Sequence, residues 1–416
     1  MVNLTAIAGE LKKMQVEKET QISDLVAFLF QQAVEQRASD IYLEPLDAVI
    51  SIRYRIDGML HDVAELPLEL QEKLVSRIKV LANLIVYRRD IPQDGHITRG
   101  FREDGVDLRV TTFPTIHGEK VLIRIFNSSQ VLFNLGELGF SPDTEEELRK
   151  LIFRPQGTIL LTGPSSSGKT TTIYAALKEI AREKRDIANI VTIEDPVEYN
   201  LKTISQTQVN LSAGLTFARS LRSILRQDPE VIMLGEIRDV ETAAIAIQAG
   251  LTGHLVISTI HSGTATGVFA RLIAMEIEPF LIASSLSGVL AQRLVRVICP
   301  KCKESYQPSR ALIGALGLKK ISSPTFFKGR GCPECSRTGY RGRIAITELL
   351  TVNEKFREAI LGKSSTTALD KVAEEIGMRS LREDGLRKVE QGITTLEELQ
   401  RVIVSEEGMD IEDKQE

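Results

Sequence analysis

Ten residues, GPSSSGKTTT at positions 163–172, have the types and spacing needed to hold phosphate groups. Gly163, Gly168, Lys169 and Thr170 fit the pattern G-x-x-x-x-G-K-[S/T]. In this pattern the backbone N–H groups surround the phosphates, the lysine reaches the β- and γ-phosphates, and the hydroxyl holds Mg²⁺. The stretch predicts a nucleoside triphosphate site. The residues expected to line it are Gly163, Pro164, Ser165, Ser166, Ser167, Gly168, Lys169, Thr170 and Thr171.

The elements around this stretch have the order that phosphate binding requires. GTILLTG (157–163) is typical of a buried strand, and TTTIYAALKEIAREK (170–184) begins a helix directly after the loop. A strand, a glycine loop and a helix N-terminus in succession place backbone N–H groups and the helix dipole on one anion. A chance match to the pattern would not carry this context.

Acidic residues follow two other predicted strands. VTIEDPVEY carries Glu194 and Asp195, and VIMLGEIRD carries Glu236. Because ligands of parallel sheets bind at the carboxyl ends of the strands, we expect these acids near the γ-phosphate. One would activate water, and Thr170, Asp195 and Glu236 would hold magnesium. The residues leave open whether Glu194 or Glu236 is the general base, and acids that only cap loops are the alternative.

Two histidines flank the predicted strand LVISTI. His254 and His261 are seven positions apart, so they are expected on opposite faces rather than on one metal. His261 follows the carboxyl end of the strand, where it would sense the γ-phosphate. His254 is equally consistent with a structural role.

Arginines at two places suggest a second contribution to the nucleotide site. Arg219, Arg222 and Arg226 have the i, i+3, i+7 spacing of one helical stripe, and Arg109 and Arg124 lie on neighbouring predicted strands. An arginine beside a γ-phosphate stabilises the charge of the transition state, and another subunit can supply it. Solvent-facing charges are the alternative, since most arginines are exposed.

The cysteines of the chain form two CxxC pairs, CPKC and CPEC, separated by 29 residues (303–331). Four thiolates give Zn²⁺ a closed tetrahedral site, which is structural rather than catalytic. Redox or incidental cysteines are the alternative. The predicted zinc ligands are Cys299, Cys302, Cys332 and Cys335.

The composition is that of an ordinary globular protein. The 416 residues are 43% hydrophobic and carry a net charge of −4, so a global basic field for nucleic acid is excluded. No apolar run is long enough to span a membrane, and the N-terminus lacks the order of a signal peptide. We expect a cytoplasmic protein that meets a membrane only through partners.

Periodicity divides the chain into segments. A helix is predicted over 22–36, alternating strands and a helix over 68–87 complete a mixed module, and strand–helix alternation from about 137 predicts a parallel sheet. Helices are expected to the end of the folded chain, followed by an acidic tail. The predicted segments are 1–130, 131–295, 296–343, 344–404 and 405–416.

Many linked blocks together resemble one known family, the secretion ATPases that power type II secretion and type IV pilus assembly. The blocks include ASDIYLEP, RYRIDG, IPQDGHI, RVTTFPTIHGEKVLIRIF, GPSSSGKTTT, EDPVEY, LRSILRQDPEVIMLGEIRDVETA, TGHLVISTIH, AQRLVR, both CxxC pairs and GYRGR…TELL. The resemblance implies an α/β fold: a RecA-like P-loop ATPase domain, an N-terminal α+β (PAS-like) domain, a zinc-binding insertion and a helical C-terminal region. The match begins almost at the family's second N-terminal domain, so the family's first N-terminal domain is expected to be absent.

The same resemblance implies a homo-hexameric ring that hydrolyses ATP with Mg²⁺ and carries Zn²⁺. Its expected partners are an inner-membrane platform protein and a cytoplasmic-arm protein, with no stable nucleic-acid binding. Arg109 and Arg124 match arginines that complete the nucleotide site, and Arg222 and Arg226 match arginines of the motor lobe. Ser166 stands where the family has glycine.

Several functions stay open at this point. The sequence does not separate type II secretion from pilus extension or DNA-uptake pili. A DNA-translocating ring on the same fold is an alternative, although no Trp and 5% aromatic residues provide few stacking platforms. A nucleotide-gated scaffold without hydrolysis is a further one.

Overall fold

We describe the protein from a computed structural model. The described residues are 4–16, 21–97, 106–127, 133–184, 189–315 and 325–407. The chain divides into two compact units, and the cysteine segments belong to the first. The first unit comprises Met1–Val131, Cys299–Cys302 and Gly329–Gly342; the second comprises Leu132–Ile298, Lys303–Lys328 and Arg343–Glu416.

The described residues before 128 contain three α-helices and six strands. The helices are α1 (Leu4–Val16), α2 (Ile22–Glu35) and α3 (Gln71–Leu81). The strands are β1 (Ala38–Pro45), β2 (Val49–Ile56), β3 (Met59–Pro67), β4 (Gln93–Ile97), β5 (Val106–Thr115) and β6 (Gly118–Asn127).

The six strands form one sheet in the order β3-β2-β1-β6-β5-β4. As the alternation predicts, Ile50, Ile52 and Tyr54 of β2 are buried while the intervening arginines are half-buried. The Tyr54 hydroxyl donates to the Leu29 carbonyl of α2 at 2.7 Å, which anchors the helix to the sheet. The turn predicted after β2 is present, and Asp57 has a positive φ of 49°.

The predicted helix over 68–87 is shorter than expected. It ends at Leu81, and Asn83 has a φ of 56°, the left-handed conformation that commonly terminates a helix. The apolar residues after it belong to a loop. The periodic pattern therefore continued beyond the point where the backbone turned.

The rest of the chain holds the other elements. The strands are β7 (Gly157–Thr162), β8 (Ile190–Glu194), β9 (Ser205–Gln208), β10 (Val231–Leu234), β11 (Leu255–Ile260), β12 (Leu286–Ile298), β13 (Lys303–Tyr306), β14 (Phe326–Gly329) and β15 (Tyr340–Thr351). The helices are α4 (Pro142–Ile152), α5 (Lys169–Glu183), α6 (Phe217–Ile224), α7 (Val240–Leu251), α8 (Gly267–Ala274), α9 (Pro279–Ser285), α10 (Arg310–Ala315), α11 (Glu354–Leu361), α12 (Thr366–Glu375), α13 (Leu381–Glu390) and α14 (Leu396–Glu407).

A seven-stranded sheet in the order β15-β12-β7-β11-β10-β8-β9 is the framework of the second unit. Strands β12, β7, β11, β10, β8 and β9 pair in parallel along it. The predicted α/β fold with a parallel sheet is confirmed. The carboxyl ends of β7, β11, β10 and β8 meet at one edge, which brings together the loops that carry the predicted site residues.

The C-terminal segment is not helical from residue 344 as predicted. Residues up to Thr351 form β15, and the first helix begins at Glu354. The stretch Ile344–Thr347 is rich in β-branched side chains, which favour a strand. Of the predicted acidic tail, residues 408–416 lie outside the described part of the chain. Among the described residues, no helix has the length and apolarity to cross a membrane.

Candidate active site

The phosphate-binding stretch forms a tight loop between β7 and α5. Gly163 has a φ of 142° and Gly168 a φ of 88°, conformations that favour glycine. Ser166 also has a positive φ, 63°. Its backbone conformation is therefore one that favours glycine, the residue expected at this position. Because helix α5 starts at Lys169, its first N–H groups have no acceptor within the helix and face the loop. This is a backbone suited to phosphate oxygens.

Lys169 lies over the loop. Its ammonium group donates to the carbonyls of Gly163 at 2.6 Å and Pro164 at 2.9 Å. Burial and, second, the nearby charge of Arg293 lower the pKa of Lys169 to about 8, while Glu236 acts in the opposite direction. A phosphate would replace these carbonyl contacts with a stronger, charged partner.

Two of the predicted residues, Glu236 and His261, are neighbours at the carboxyl edge of the sheet. Glu236 is paired with Arg238, and its Oε2 lies 3.8 Å from Nε2 of His261. The hydrogen bond that Arg238 donates to Glu236 and the negative charges of Glu236 and Asp195 raise the pKa of Arg238. Together with the effect of Glu236 on Lys169, these interactions place the two residues beside the phosphate loop.

Glu194 has a different environment. Its side chain is 2% exposed, and its carboxylate accepts hydrogen bonds from Thr192 at 2.5 Å, Gln206 at 3.0 Å and the hydroxyl of Tyr174. Tyr174 belongs to α5, so Glu194 connects β8 to the helix that follows the loop. These contacts favour a positioning role for Glu194 over water activation.

Glu198 is the acid that the sequence reasoning missed. The Thr170 hydroxyl donates to its Oε1 at 3.3 Å, and its backbone N–H donates to the Tyr174 hydroxyl at 3.3 Å. It is exposed, unlike Glu194. The available signal is the second glutamate after the proline of EDPVEY, which residue type alone does not distinguish from the acids at the strand end.

The motor-lobe arginines are not one helical stripe. Helix α6 ends at Ile224, so Arg226 lies beyond it, because the chain turns toward Asp228-Pro229 and a residue before proline disfavours helix. Arg222 pairs with Glu241 of α7, and Arg226 donates to the Arg222 carbonyl at 3.0 Å. These contacts tie both arginines to the α6–α7 surface.

The arginines of the first unit lie side by side. Arg109 of β5 and Arg124 of β6 are register partners, so they share a face of the sheet. Arg124 donates to Asp40 at 3.0 Å and is 58% exposed, whereas Arg109 is 4.0 Å from Asp94. Two adjacent guanidinium groups on one face form a site that would attract an anion.

His254 occupies a structural position. It precedes β11, and its Nδ1 lies 3.1 Å from the carbonyl of Ala249, at the end of α7. The described contacts of His254 and His261 are separate, and their placement on opposite faces of the strand stays a prediction.

The cysteines of the two CxxC pairs converge. Their four Sγ atoms all lie within 4.8 Å of one another, and Cys299–Cys332 and Cys302–Cys335 are both 3.8 Å apart. Bond lengths of about 2.3 Å from Zn²⁺ to tetrahedral sulfurs require edges of about 3.8 Å. A disulfide would need sulfurs about 2.05 Å apart. The donor set and its dimensions therefore fit zinc.

Backbone groups already support thiolates in this cluster. The N–H groups of Cys332 and Gly339 point to Sγ of Cys335 at 3.2 and 3.3 Å. Burial acts to raise the pKa of Cys335, yet these and neighbouring hydrogen bonds lower it to about 7. Burial raises that of Cys302 to about 12. Such N–H···S contacts are the outer-shell interactions typical of metal-bound cysteines.

Comparison with protein families gives a match over nearly the whole chain. The model of the Type II/IV secretion system protein family matches residues 15–401. The chain belongs to this family. The resemblance inferred from its motifs, to type II secretion and type IV pilus assembly ATPases, is thereby confirmed.

Relatives in the family are named either as type II secretion proteins or as type IV pilus assembly ATPases. The chain is 46% identical to the Type II secretion system protein E of Pseudomonas aeruginosa, over 96% of this chain and 80% of that protein. It is also 46% identical to the Type II secretion system ATPase E of Vibrio cholerae, over 94% and 76%. The Type IV pilus assembly ATPase PilB of Thermus thermophilus is 44% identical, over 95% of this chain and 45% of PilB.

Solved structures have the same fold. The pilus retraction motor PilT, determined with bound ADP, has a TM-score of 0.60 at 25% identity and covers 90% of this chain and 96% of its own. The ATPase DotB of Legionella pneumophila has a TM-score of 0.66 at 19% identity, covering 90% and 93%, which shows the fold alone. Because the chain belongs to this family and contains the nucleotide loop, it is an ATPase of the secretion and pilus-assembly class.

Proposed function

We propose that this ATPase works as a homo-hexameric ring that powers assembly of the pseudopilus for type II secretion. The observation that carries the proposal is the phosphate loop with Lys169, Thr170, Glu198 and Glu236 grouped around it, in a chain of this family. Extension of a type IV pilus is the second candidate, because the PilB relative is nearly as similar as the type II proteins.

Within the site, each group has a role that follows from its position. Loop N–H groups and Lys169 would bind the phosphates of ATP, and Thr170, Asp195 and Glu236 would hold magnesium, which neutralises phosphate charge when bound. Glu198, exposed beside Thr170, is best placed to orient or deprotonate the attacking water, with Glu236 as the other candidate. Glu194 would keep Tyr174 and the Glu198 backbone in place.

The ring would complete its sites with arginines from another part of the assembly. Arg109 and Arg124 are proposed to stabilise the γ-phosphate charge from a neighbouring subunit, and Arg222 and Arg226 to act within the motor lobe. His261 would respond to the γ-phosphate through its contact with Glu236. The zinc cluster would be structural.

Partners of the proposed machine would be an inner-membrane platform protein and a cytoplasmic-arm protein. The ATPase would then act in the cytoplasm at the inner face of the membrane, held there by those proteins. Co-purification with candidate platform and arm proteins from a type II system or a pilus system separates the two candidate functions.

The catalytic part is tested by turnover of MgATP by the purified chain. Lys169→Ala is expected to abolish turnover, and Glu198→Gln to reduce it by about 100-fold or more with nucleotide binding retained, since general acid–base catalysis contributes at least that much. Glu375→Gln, at an exposed glutamate paired with Lys355 far along the chain in α12, is the control and should retain full activity. Wild-type turnover in Glu198→Gln would overturn the role of Glu198, and turnover in Lys169→Ala would overturn the site itself.

A further inference from the structure

Strand β12 carries a buried glutamine, Gln292, that contacts the phosphate loop at the carbonyl of Ser167. Gln292 is 2% exposed and follows Ala291, which is the register partner of Thr162 at the end of β7. It therefore lies at the same edge of the sheet where the loop begins. We propose that Gln292 is a positioning residue that holds the phosphate loop in its binding conformation.

The first step of the argument is the hydrogen bonding of the amide. Gln292 Nε2 donates to the Ser167 carbonyl at 2.9 Å, and the Thr172 hydroxyl donates to Gln292 Oε1 at 2.8 Å. A carbonyl only accepts, so the Ser167 contact fixes which end of the amide faces the loop. One side chain thus joins the last part of the loop to the first turn of α5.

The second step is the fit of the loop glycines against this residue. A Cβ atom on Gly163 would lie 2.4 Å from the Gln292 carbonyl oxygen, and one on Gly168 would lie 2.8 Å from Nε2. The backbone oxygen of Gln292 therefore leaves no room for a side chain at Gly163, whereas the contact at Gly168 is with the end of the Gln292 side chain. The loop takes its shape against the end of β12.

The third step is the rigidity of the support itself. Arg293, 3% exposed, donates to the Gln292 carbonyl at 3.0 Å and to the Gly263 carbonyl at 2.7 Å. Gly263 lies in the loop after β11, two residues beyond His261. The end of β12 is thereby fixed to a second loop of the site, so Gln292 has little freedom to follow a displaced phosphate loop.

Only glutamine satisfies both contacts at this length. An apolar side chain leaves the Ser167 carbonyl and the Thr172 hydroxyl unpaired in a buried place, and asparagine is one methylene short. Glutamate would present a carboxylate to the Ser167 carbonyl, which has no proton to offer. Since the side chain of Gln292 bonds to the Ser167 carbonyl and the Thr172 hydroxyl, it is expected to act through the loop on nucleotide binding and not on the chemical step.

The inference rests on the proposed function of the site, and its test uses MgADP binding by calorimetry, MgATP turnover and thermal melting of the full chain. Gln292→Met is expected to raise the Kd for MgADP and the KM for ATP by about tenfold, as loss of two buried hydrogen bonds implies, with kcat within about twofold of wild type. Thr158→Val is the matched control. It removes the 2.7 Å hydrogen bond between Thr158 and Ser285 at the opposite end of the same strands.

The control separates positioning from stability. Both substitutions are expected to lower the melting temperature, whereas only Gln292→Met should weaken MgADP binding. A Gln292→Met variant that is folded and binds MgADP within about twofold of wild type overturns the inference. A wild-type chain that does not bind MgADP overturns the proposed function, and the inference with it.

A second pair of variants decides the case if Gln292→Met does not fold. Thr172→Val removes only the hydroxyl that donates to Gln292, and Thr172→Ser keeps it. The inference requires weaker MgADP binding in Thr172→Val and wild-type binding in Thr172→Ser. Equal binding in the two variants overturns it.

Discussion

At the scale of single residues, Lys169 is a cation in a place that disfavours charge. It is half-buried, and the charge of Arg293 is near. In the protein without nucleotide, its hydrogen-bond acceptors are two carbonyl oxygens rather than an anion. In the free protein, Lys169 therefore holds its proton less tightly than a lysine exposed to water does. A bound phosphate reverses this balance, so protonation of Lys169 and nucleotide binding favour each other.

This linkage predicts a pH dependence of nucleotide affinity. With a pKa of about 8 in the free protein, Lys169 is charged below that pH and neutral above it. The Kd for MgATP should be nearly constant below pH 8 and rise above it by up to about tenfold per pH unit, because binding then takes up a proton. Lys169→Arg keeps its charge and should lack this rise. Calorimetry across this pH range measures both, and an equally flat wild-type profile contradicts the prediction.

Ser166 provides a second prediction at this scale. Its φ of 63° costs a residue with a Cβ about 1–2 kcal/mol, and glycine returns about 0.5–1 kcal/mol of that in unfolded-chain entropy. Ser166→Gly is therefore expected to stabilise the second unit by about 0.5–1 kcal/mol and to raise its melting temperature by about 2 °C. Ser165→Gly, at the neighbouring position without a positive φ, should instead lower it. A fall in both variants would contradict the argument.

At the scale of elements, the two CxxC segments meet through their sulfurs and through backbone hydrogen bonds, from Cys299 N–H to the Gly339 carbonyl at 2.9 Å and from Arg330 N–H to the Cys302 carbonyl at 3.0 Å. Cys299 and Cys302 follow β12, while Cys332 and Cys335 lie between β14 and β15. A metal that binds all four closes a long loop and contributes directly to folding. Without it, buried thiols of raised pKa such as Cys302 remain without a charged partner.

Removal of zinc should therefore destabilise the wild-type chain. We expect about one zinc per chain on metal analysis and a lower melting temperature after treatment with a strong chelator. Cys302→Ser should melt at the lower temperature from the start and respond no further to the chelator. Zinc in fewer than about half of the chains would count against the site.

Local patterns allowed much of this architecture to be predicted, and the failures have physical causes. Strand alternation located β1 and β2, and buried apolar runs located β7, β8, β10 and β11. Helix α3 ended early at a left-handed Asn83, and α6 ended before Arg226 near a proline. Periodicity does not show such backbone turns.

The site was predictable in part for the same reason. The phosphate loop is contiguous in sequence, so its pattern is visible, whereas Gln292 meets Ser167 across 125 positions and its block AQRLVR does not indicate that contact. Glu194 and Glu198 stand four residues apart in one motif, and only the turn after β8 decides which is buried. Tertiary packing, not residue type, distinguishes them.

At the scale of the whole molecule, the proposed ring requires nucleotide sites that no single subunit completes. The phosphate loop belongs to the second unit and Arg124 to the first. In a ring with head-to-tail contacts, each first unit would serve the loop of a neighbour. A variant without the lysine and a variant without the arginine would then be defective in different halves of the same site.

This arrangement predicts rescue by mixing. Lys169→Ala and Arg124→Ala should each be nearly inactive alone, but together they form some sites with an intact loop from one subunit and an intact arginine from the next. Random equal mixing before ring assembly gives about a quarter of wild-type turnover, since each half of a site is intact with even probability. Mixing Lys169→Ala with Glu198→Gln is the control: both changes lie in the second unit, so if that unit forms its half of the site alone, no intact site arises. Activity that stays at the sum of the separate variants, in rings verified by light scattering, would show that Arg124 does not act in trans.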